Sequence, residues 1–364
     1  MKRAFLLVLL TWMPLNQLLA NEKGYQLPPK IMADLVDAPR RPGAAISPDK
    51  RWLALLHRPG AQSIQDLAQP EEKLAGLRIN PAVFGPSRST GYTKIEIRSV
   101  QGDKAIEVKN LPKGKVMNVS FSPDSKNLAF ILEDTKGLSL WNFNLKKQKA
   151  KRVTKQYINA SLRGSKYHWK RDSNGFYTRL TVAAPEEKPE KSLSTIEPIV
   201  QVSGGKKAAV RTYSNLLKTP YDAELFEFLT TSQIAEVSLK GKVKKLGKPG
   251  IYNRFLESPD GNYLLVSQYK KPFSYLVPYY RFPIMTEVWS PAGKMIKQVA
   301  DLPSGESIPK GFDSAREGRR GVSWRSDQAA TLYWSEAQDG GDMKNQVEYH
   351  DAIYTWQAPF NKQP

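Results

Sequence analysis

The sequence contains no cysteine and only three histidines, His57, His168 and His350. The lack of thiols excludes disulfide bonds, thiolate metal sites and a cysteine nucleophile. The three histidines do not have the spacing of zinc ligands, and each is interpreted as a structural residue. Acidic residues are few as well, with 35 Asp and Glu against 55 Lys and Arg, which gives a formal net charge of +20.

Long hydrophobic runs are missing outside the N-terminal segment. Residues 1–3 include two basic side chains, residues 4–10 are apolar, and Ala20 is a small residue at a cleavage point. This pattern predicts a signal peptide over residues 1–20 and an exported chain, periplasmic or secreted. Because Pro14 interrupts the apolar run, no stable membrane span is expected. An uncleaved N-terminal anchor is the alternative.

The excess of positive charge raises the question of an anionic partner. Residues 146–155 hold six Lys and Arg in ten positions. They follow an apolar strand pattern, so a solvated loop at a sheet edge is the favoured interpretation. Contact with an anionic surface or with lipopolysaccharide is the alternative. Nucleic acid is not an expected partner, since an exported protein rarely meets it.

One sequence pattern recurs five times along the chain. An apolar residue and a Ser or Trp precede a turn centred on Asp, and an apolar strand follows. The Asp side chain is expected to bond the backbone two residues on, with Gly or Asn in the left-handed position of the turn. A second, alternating strand comes later in each unit, which is typical of a blade made from two hairpins. The five turns are centred on Asp49, Asp124, Asp172, Asp260 and Asp327, and the second strands are predicted at 95–99, 138–142, 234–238, 287–290 and 352–356.

These units predict an all-β fold, a partial β-propeller of about five blade equivalents over residues 21–364. Successive turn aspartates are 75, 48, 88 and 67 residues apart, and only the 48-residue step fits a compact blade. Insertions are therefore expected at 59–92, 183–231 and 302–320, the second with a helix whose N-cap is Asp222. The last unit stops before its closing strand, so we expect a truncated propeller with an incomplete last blade.

Several stretches of the chain also resemble a known family. Examples are Leu-Ala-Gly-Leu-Arg-Ile-Asn-Pro at 74–81 and Gly-Pro-Ser-Arg at 85–88. The other stretches are residues 25–30, 34–39, 210–213, 232–233, 271–278, 281–283 and 337–342. In their order and density, these stretches resemble the N-terminal region of exported bacterial serine peptidases of the prolyl oligopeptidase family, on the branch that includes glutamyl endopeptidases. The resemblance covers nearly all of the chain after the signal peptide.

The resemblance implies a propeller that caps a C-terminal α/β-hydrolase domain and filters the peptides that reach its Ser, Asp and His. The sequence holds no Gly-x-Ser-x-Gly elbow, because Trp141 stands where Ser139 would need a second glycine. We therefore expect the hydrolase domain to be absent, with no catalytic residue, metal or cofactor in this chain and no activity of the chain alone. The alternative is a non-catalytic exported propeller that binds peptides or envelope components. A separate polypeptide that supplies the missing blades and hydrolase is a further alternative.

Four arginines near the last repeat are the candidate substrate-binding residues. A guanidinium pairs with a carboxylate through two parallel hydrogen bonds, so an arginine cluster would suit acidic peptides. The competing interpretation is solvation at a blade edge or ion pairing between domains. The four residues are Arg316, Arg319, Arg320 and Arg325.

Overall fold

The computed structural model describes residues 28–38, 40–102, 104–191, 212–309, 311 and 313–364. The signal peptide predicted over residues 1–20 lies outside this part of the chain. The chain divides into two compact units, residues 1–39 and 40–364. The described part of the first unit contains helix α1 (Lys30–Val36), which buries none of its side chains. No helix among the described residues is long and apolar enough to cross a membrane.

The second unit consists of antiparallel sheets in which each strand pairs with the next strand of the same sheet. The first sheet begins with β1 (Gly43–Ile46) and β2 (Trp52–His57). A small separate sheet comes next in the chain and holds β3 (Glu72–Leu74), β4 (Leu77–Asn80) and β5 (Gly85–Pro86). The first sheet is then completed by β6 (Lys94–Ser99) and β7 (Ala105–Glu107). The second sheet holds β8 (Lys115–Phe121), β9 (Asn127–Asp134), β10 (Gly137–Asn144) and β11 (Lys149–Arg152). The third holds β12 (Tyr167–Trp169), β13 (Gly175–Thr181), β14 (Ser232–Ser238) and β15 (Val243–Lys245).

Two more sheets follow along the chain. The fourth holds β16 (Ile251–Glu257), β17 (Leu264–Tyr269), β18 (Ile284–Trp289) and β19 (Met295–Leu302). The fifth holds three strands, β20 (Arg320–Trp324), β21 (Thr331–Ala337) and β22 (Asp351–Gln357). The connections carry helices α2 (Ile64–Leu67) and α3 (Pro220–Thr230) and short 3-10 helices at Pro185–Glu187, Tyr279–Arg281 and Gly305–Ser307. This confirms the prediction of an all-β, partial propeller with five blades and a shorter last one.

The Asp-centred turns form as predicted in the first four blades. In the second blade, the Asp124 carboxylate accepts the Lys126 backbone N–H at 3.1 Å, and Ser122 Oγ donates to the same carboxylate at 2.6 Å. The left-handed position was predicted wrongly in three of these turns. It falls directly after the Asp, where Gly261 fits but Lys50, Ser125 and Ser173 also take positive φ. The local hydrogen bonds of the turn hold these three residues in a backbone conformation that Gly would adopt freely.

These turns also bond one blade to the next. The Asp49 N–H donates to Ser125 Oγ at 3.0 Å, and the Asp124 N–H donates to Ser173 Oγ at 3.0 Å. The Asp260 N–H donates to the backbone oxygen of Ala329 at 3.0 Å. The same turn residues that start each second strand therefore also fix the spacing between neighbouring blades.

Hydrophobic cores lie between neighbouring blades. Strand β9 shows the principle, because every residue from 127 to 133 is buried. Leu128 and Phe130 pack in the core shared with the first blade, whereas Ala129 and Ile131 pack in the core shared with the third. A strand covered on both faces reads as a continuous apolar run, which is why β9 shows no alternation in sequence.

The long connections lie at one end of the blades. Since the strands alternate in direction, the loop between the second and third strands and the loop to the next blade leave from the same end. At this end, residues 58–93, 212–231 and 270–283 pack together, and we name these three segments the insertion layer. Their shared core includes Leu77, Phe84, Phe226, Phe273 and Phe282.

The inserted segments differ in detail from the predictions. Helix α3 forms, but Asp222 is its third residue and Thr219 is the N-cap; the two side chains make a reciprocal capping box. The Asp222 prediction was wrong because the Pro at position 220 takes the first helical position and moves the cap upstream. Residues 149–152 of the basic stretch form edge strand β11 and not a loop.

We expect the turn serines to be worth measurable stability. Ser125→Ala or Ser173→Ala removes one hydrogen bond between blades and leaves a backbone N–H unpaired, which should lower the free energy of unfolding by about 1 kcal/mol each. Urea unfolding of both single variants and the double variant measures this.

Gln328→Ala is the matched control for the turn serines. Gln328 holds the equivalent turn position in the fifth blade, is exposed, and makes no side-chain hydrogen bond within the described residues. An equal loss of stability in this control would contradict the role assigned to the serines.

Candidate functional site

The four candidate arginines do not form one cluster. Arg316, Arg319 and Arg320 precede or begin β20, whereas Arg325 follows its last residue. The strand has five residues, about 16 Å of extended chain. Arg316 and Arg320 border a surface cavity of about 440 Å³, and Arg325 borders a different cavity of about 380 Å³.

Arg316 joins the connection between β17 and β18 to its own connection between β19 and β20. Its Nη1 donates to the backbone oxygens of Phe282 at 3.1 Å and Pro303 at 3.3 Å, and its Nη2 donates to that of Tyr280 at 3.0 Å. Burial lowers the pKa of this guanidinium. Its donors are therefore largely used within the chain.

Arg319 and Arg320 also have partners inside the fifth blade. The Arg319 guanidinium carbon lies 4.8 Å from the ring centre of Trp334, and its Nη1 donates to the backbone oxygen of Val299 at 2.9 Å. Arg320 Nη2 is paired with the Asp351 carboxylate. Arg319 thus links the last two sheets, whereas Arg320 joins β20 to β22 within the fifth sheet.

Arg325 is the most accessible of the four guanidinium groups. It forms a two-point pair with Asp327, with distances of 3.0 Å and 2.6 Å. This pairing raises the pKa of Arg325 and lowers that of Asp327. Binding of substrate by any of the four arginines stays a prediction.

Ser139 lies within β10, as predicted, and not on a strand-to-helix turn. Its Oγ donates to the backbone oxygen of Leu132 at 3.2 Å and accepts from Trp141 Nε1 at 2.9 Å. The residue is buried, so its hydroxyl is committed to the interior of the second blade.

A second candidate site lies under the insertion layer, and the sequence did not point to it. A cavity of about 380 Å³ lies between the β3–β4 hairpin, the connection from the second to the third blade, and the segment before α3. Its lining includes three cationic residues and no carboxylate. The lining residues are Gly76, Leu77, Arg78, Pro86, Ser87, Ala160, Ser161, Leu162, Arg163, Lys166, Ser214 and Asn215.

The backbone around this cavity is fixed by contacts between the three walls. The Gly76 N–H donates to the Asn215 oxygen at 2.8 Å, and the Tyr279 N–H donates to the Ala75 oxygen at 2.9 Å. Gly76 has a φ of +82°, and a Cβ there would lie 2.8 Å from the Cβ of Pro278. Only glycine fits this position without moving the neighbouring segment.

Lys166 is the most buried cation of the cavity wall, with 7% of its surface exposed. Its Nζ donates to the backbone oxygens of Leu162 at 2.7 Å and Ala160 at 3.1 Å. Burial, with Arg179 as a further cation nearby, lowers the pKa of Lys166 to about 7. Its charge is therefore poised near neutral pH.

Arg179 stands behind Lys166 on the neighbouring strand and is almost fully buried. Its Nη1 donates to the backbone oxygen of Tyr252 at 2.6 Å, while Nε and Nη2 have no partner among the described residues. Burial lowers the pKa of Arg179 to about 10. Burial and the nearby arginines 179 and 254 also lower the pKa of His168 to about 4. This part of the interior is thus strongly electropositive.

Four of the stretches that carried the family resemblance lie at this place. Residues 74–81 and 85–88 form two walls of the cavity, while 271–278 and 281–283 pack on the hairpin from outside. Residues 232–233 start β14 directly after α3. The stretches at 25–27 and 210–211 lie outside the described residues.

The chain has curated homologues over most of its length. It is 37% identical over 355 residues, 93% of the chain, to a probable chloroplastic glutamyl endopeptidase of Oryza sativa subsp. japonica. It is 36% identical over 354 residues to the probable chloroplastic glutamyl endopeptidase of Arabidopsis thaliana. These homologues are peptidases. The chain spans about 37% of the length of the rice protein and 36% of the Arabidopsis one. No protein-family model matches the chain.

Solved structures with a similar arrangement were also found. The acylaminoacyl peptidase of Pyrococcus horikoshii matches 88% of this chain and 38% of its own, with 13% identity and a TM-score of 0.44. The β-propeller domain of the Trilobed protease from Pyrococcus furiosus matches 88% of this chain and 69% of its own, with 10% identity and a TM-score of 0.41.

We expect Arg316 to be mainly structural. Arg316→Met leaves the three backbone oxygens without their charged donor and should lower the free energy of unfolding by about 2–3 kcal/mol. Arg325→Gln removes an exposed ion pair and should leave unfolding unchanged. Urea unfolding of the two variants measures the difference. Equal stabilities would show that the contacts of Arg316 do not hold the loops.

Proposed function

We propose that this chain is the β-propeller part of a serine peptidase of the prolyl oligopeptidase family, of the glutamyl endopeptidase kind. In that enzyme the propeller would restrict which peptides reach an α/β-hydrolase domain. The observation that carries the proposal is the identity of 37% over 93% of the chain with a probable glutamyl endopeptidase.

The position of the stretches that resemble the family adds support to this proposal. The stretches 74–81, 85–88, 271–278 and 281–283 lie in the insertion layer, and the first two also line the cavity beneath it. None of them forms a strand of a blade. Sequence likeness at an inserted layer favours a shared function, because a blade core requires only apolar residues at the right period.

Hydrolysis belongs to the whole enzyme in this proposal. The sequence has no Gly-x-Ser-x-Gly elbow, and Ser139 is committed to the blade interior. We propose that the chain by itself hydrolyses no peptide. We also propose that the enzyme is exported under the direction of residues 1–20.

A chimaera tests the proposal. The residues of the rice glutamyl endopeptidase that align with residues 40–364 of this chain are replaced by those residues. We expect the chimaera to hydrolyse a quenched fluorescent peptide that contains glutamate, and the same peptide with glutamine to be a poor substrate. The chain alone should be inactive and should not react with a fluorophosphonate, which labels activated serines.

The unmodified rice enzyme and its variant with the nucleophilic serine changed to alanine are the controls. A chimaera that melts cooperatively but is inactive would contradict the proposal. Labelling or peptide hydrolysis by the purified chain alone would contradict its non-catalytic part. An inactive chimaera together with saturable peptide binding by the chain would favour the stand-alone binding module.

A further inference from the structure

The cavity under the insertion layer contains donors that the chain itself does not satisfy. Ser161, which is 4% exposed, has an Oγ with no hydrogen-bond partner among the described residues. Lys166 has three N–H donors and uses two of them on the oxygens of residues 160 and 162. Buried donors without partners are costly, and a ligand or water in the cavity would satisfy them.

The charge of the cavity wall is not balanced from within. Arg78 is paired with Glu71 at 3.1 Å, which lies outside the wall. Arg163 and Lys166 have no carboxylate within ion-pair distance in the described part of the chain. The buried guanidinium of Arg179 adds a further positive charge that acts on Lys166. An electropositive, partly enclosed cavity attracts anions.

We propose that this cavity, lined by Ser161, Arg163 and Lys166, is a binding site for a peptide carboxylate. The donor set is that of carboxylate recognition, an ammonium, a guanidinium and a hydroxyl. A volume of about 380 Å³ is within the range of ligand sites. It has room for one or two amino-acid residues but not for a folded segment. The choice of a peptide as the source of the carboxylate rests on the proposed peptidase function, whereas the cavity and its unpaired donors do not.

The carboxylate has two sources in a peptide, an acidic side chain or the C-terminus. Model compounds separate them. N-acetyl-glutamate amide carries only the side-chain carboxylate, N-acetyl-alanine carries only the terminal one, and N-acetyl-glutamine amide carries neither. Isothermal titration of each compound into the full chain gives the affinity. We expect saturable binding by at least one carboxylate compound and none by N-acetyl-glutamine amide.

Two variants assign the binding to this cavity. Arg163→Gln changes an exposed residue and should weaken carboxylate binding about tenfold, the low end of the range for one hydrogen bond to a charged group. Lys166→Met should weaken it about tenfold or more, since it removes a buried ammonium. Arg325→Gln is the matched control, because it removes an arginine charge at the other end of the blades and should bind normally. Arg163→Gln keeps the test valid if the buried Lys166 variant fails to fold.

The pH dependence is a second readout. Arg179 acts on Lys166 from β13, and Arg78 and Arg163 line the same cavity from β4 and from the loop that carries Lys166. A bound carboxylate favours the protonated form of Lys166, so affinity should fall as the pH rises above about 7. Binding of the carboxylate should also be accompanied by uptake of a proton by Lys166. The Lys166→Met variant should lose this pH dependence.

Three outcomes would overturn the inference. One is equal binding of N-acetyl-glutamine amide and the carboxylate compounds. Another is a lack of saturable binding by either carboxylate compound. The third is unchanged affinity in Arg163→Gln. None of these results would affect the chimaera experiment, so failure of the cavity proposal and failure of the peptidase proposal can be told apart.

Discussion

The packing of sheet against sheet between neighbouring blades is the constraint on which the rest of the structure depends. A strand such as β9 buries side chains on both faces, so both faces of an inner blade are largely occupied by packing. Chemistry must therefore lie at the ends of the strands. One end is occupied by short Asp-centred turns that bond to each other, and these leave little room for a ligand. The other end carries the insertions.

Each insertion alone is too small to have a core of its own. The hairpin of β3 and β4, helix α3 and residues 270–283 come from three different blades and share one hydrophobic cluster. Because that cluster forms only when the blades are assembled, the cavity beneath it also exists only in the folded protein. The close approach of Gly76 to Pro278 shows how tightly two of these segments are matched. A polar cavity is left where the hairpin cannot reach the connection between the second and third blades.

Much of the fold could be predicted because the turn residues of each repeat occur at fixed spacings that their hydrogen bonds require. Ser122 donates to the carboxylate of Asp124, two positions on, and that carboxylate accepts from the backbone N–H of residue 126, again two positions on. The spacing of these residues is therefore visible in the sequence. The cap of α3 was missed by three residues, since Thr219 and Asp222 are both good capping residues and only the Pro between them decides. Lys166 gave no signal at all. It is one lysine among many in a basic chain, and its burial depends on segments that are distant in sequence.

The same limit explains the four arginines. Their proximity in the sequence suggested one site, but strand β20 separates Arg325 from the other three. The N–H groups of Arg316 donate to backbone oxygens of the loops. Positive charge in this protein thus has two uses that sequence cannot separate. At Arg316 it replaces secondary structure by bonding the oxygens of irregular loops. At Lys166 and Arg179 it is held in the interior with donors left over. Desolvation of such a cation costs free energy that folding alone does not require. An arrangement of this kind is expected where binding of an anion offsets the cost.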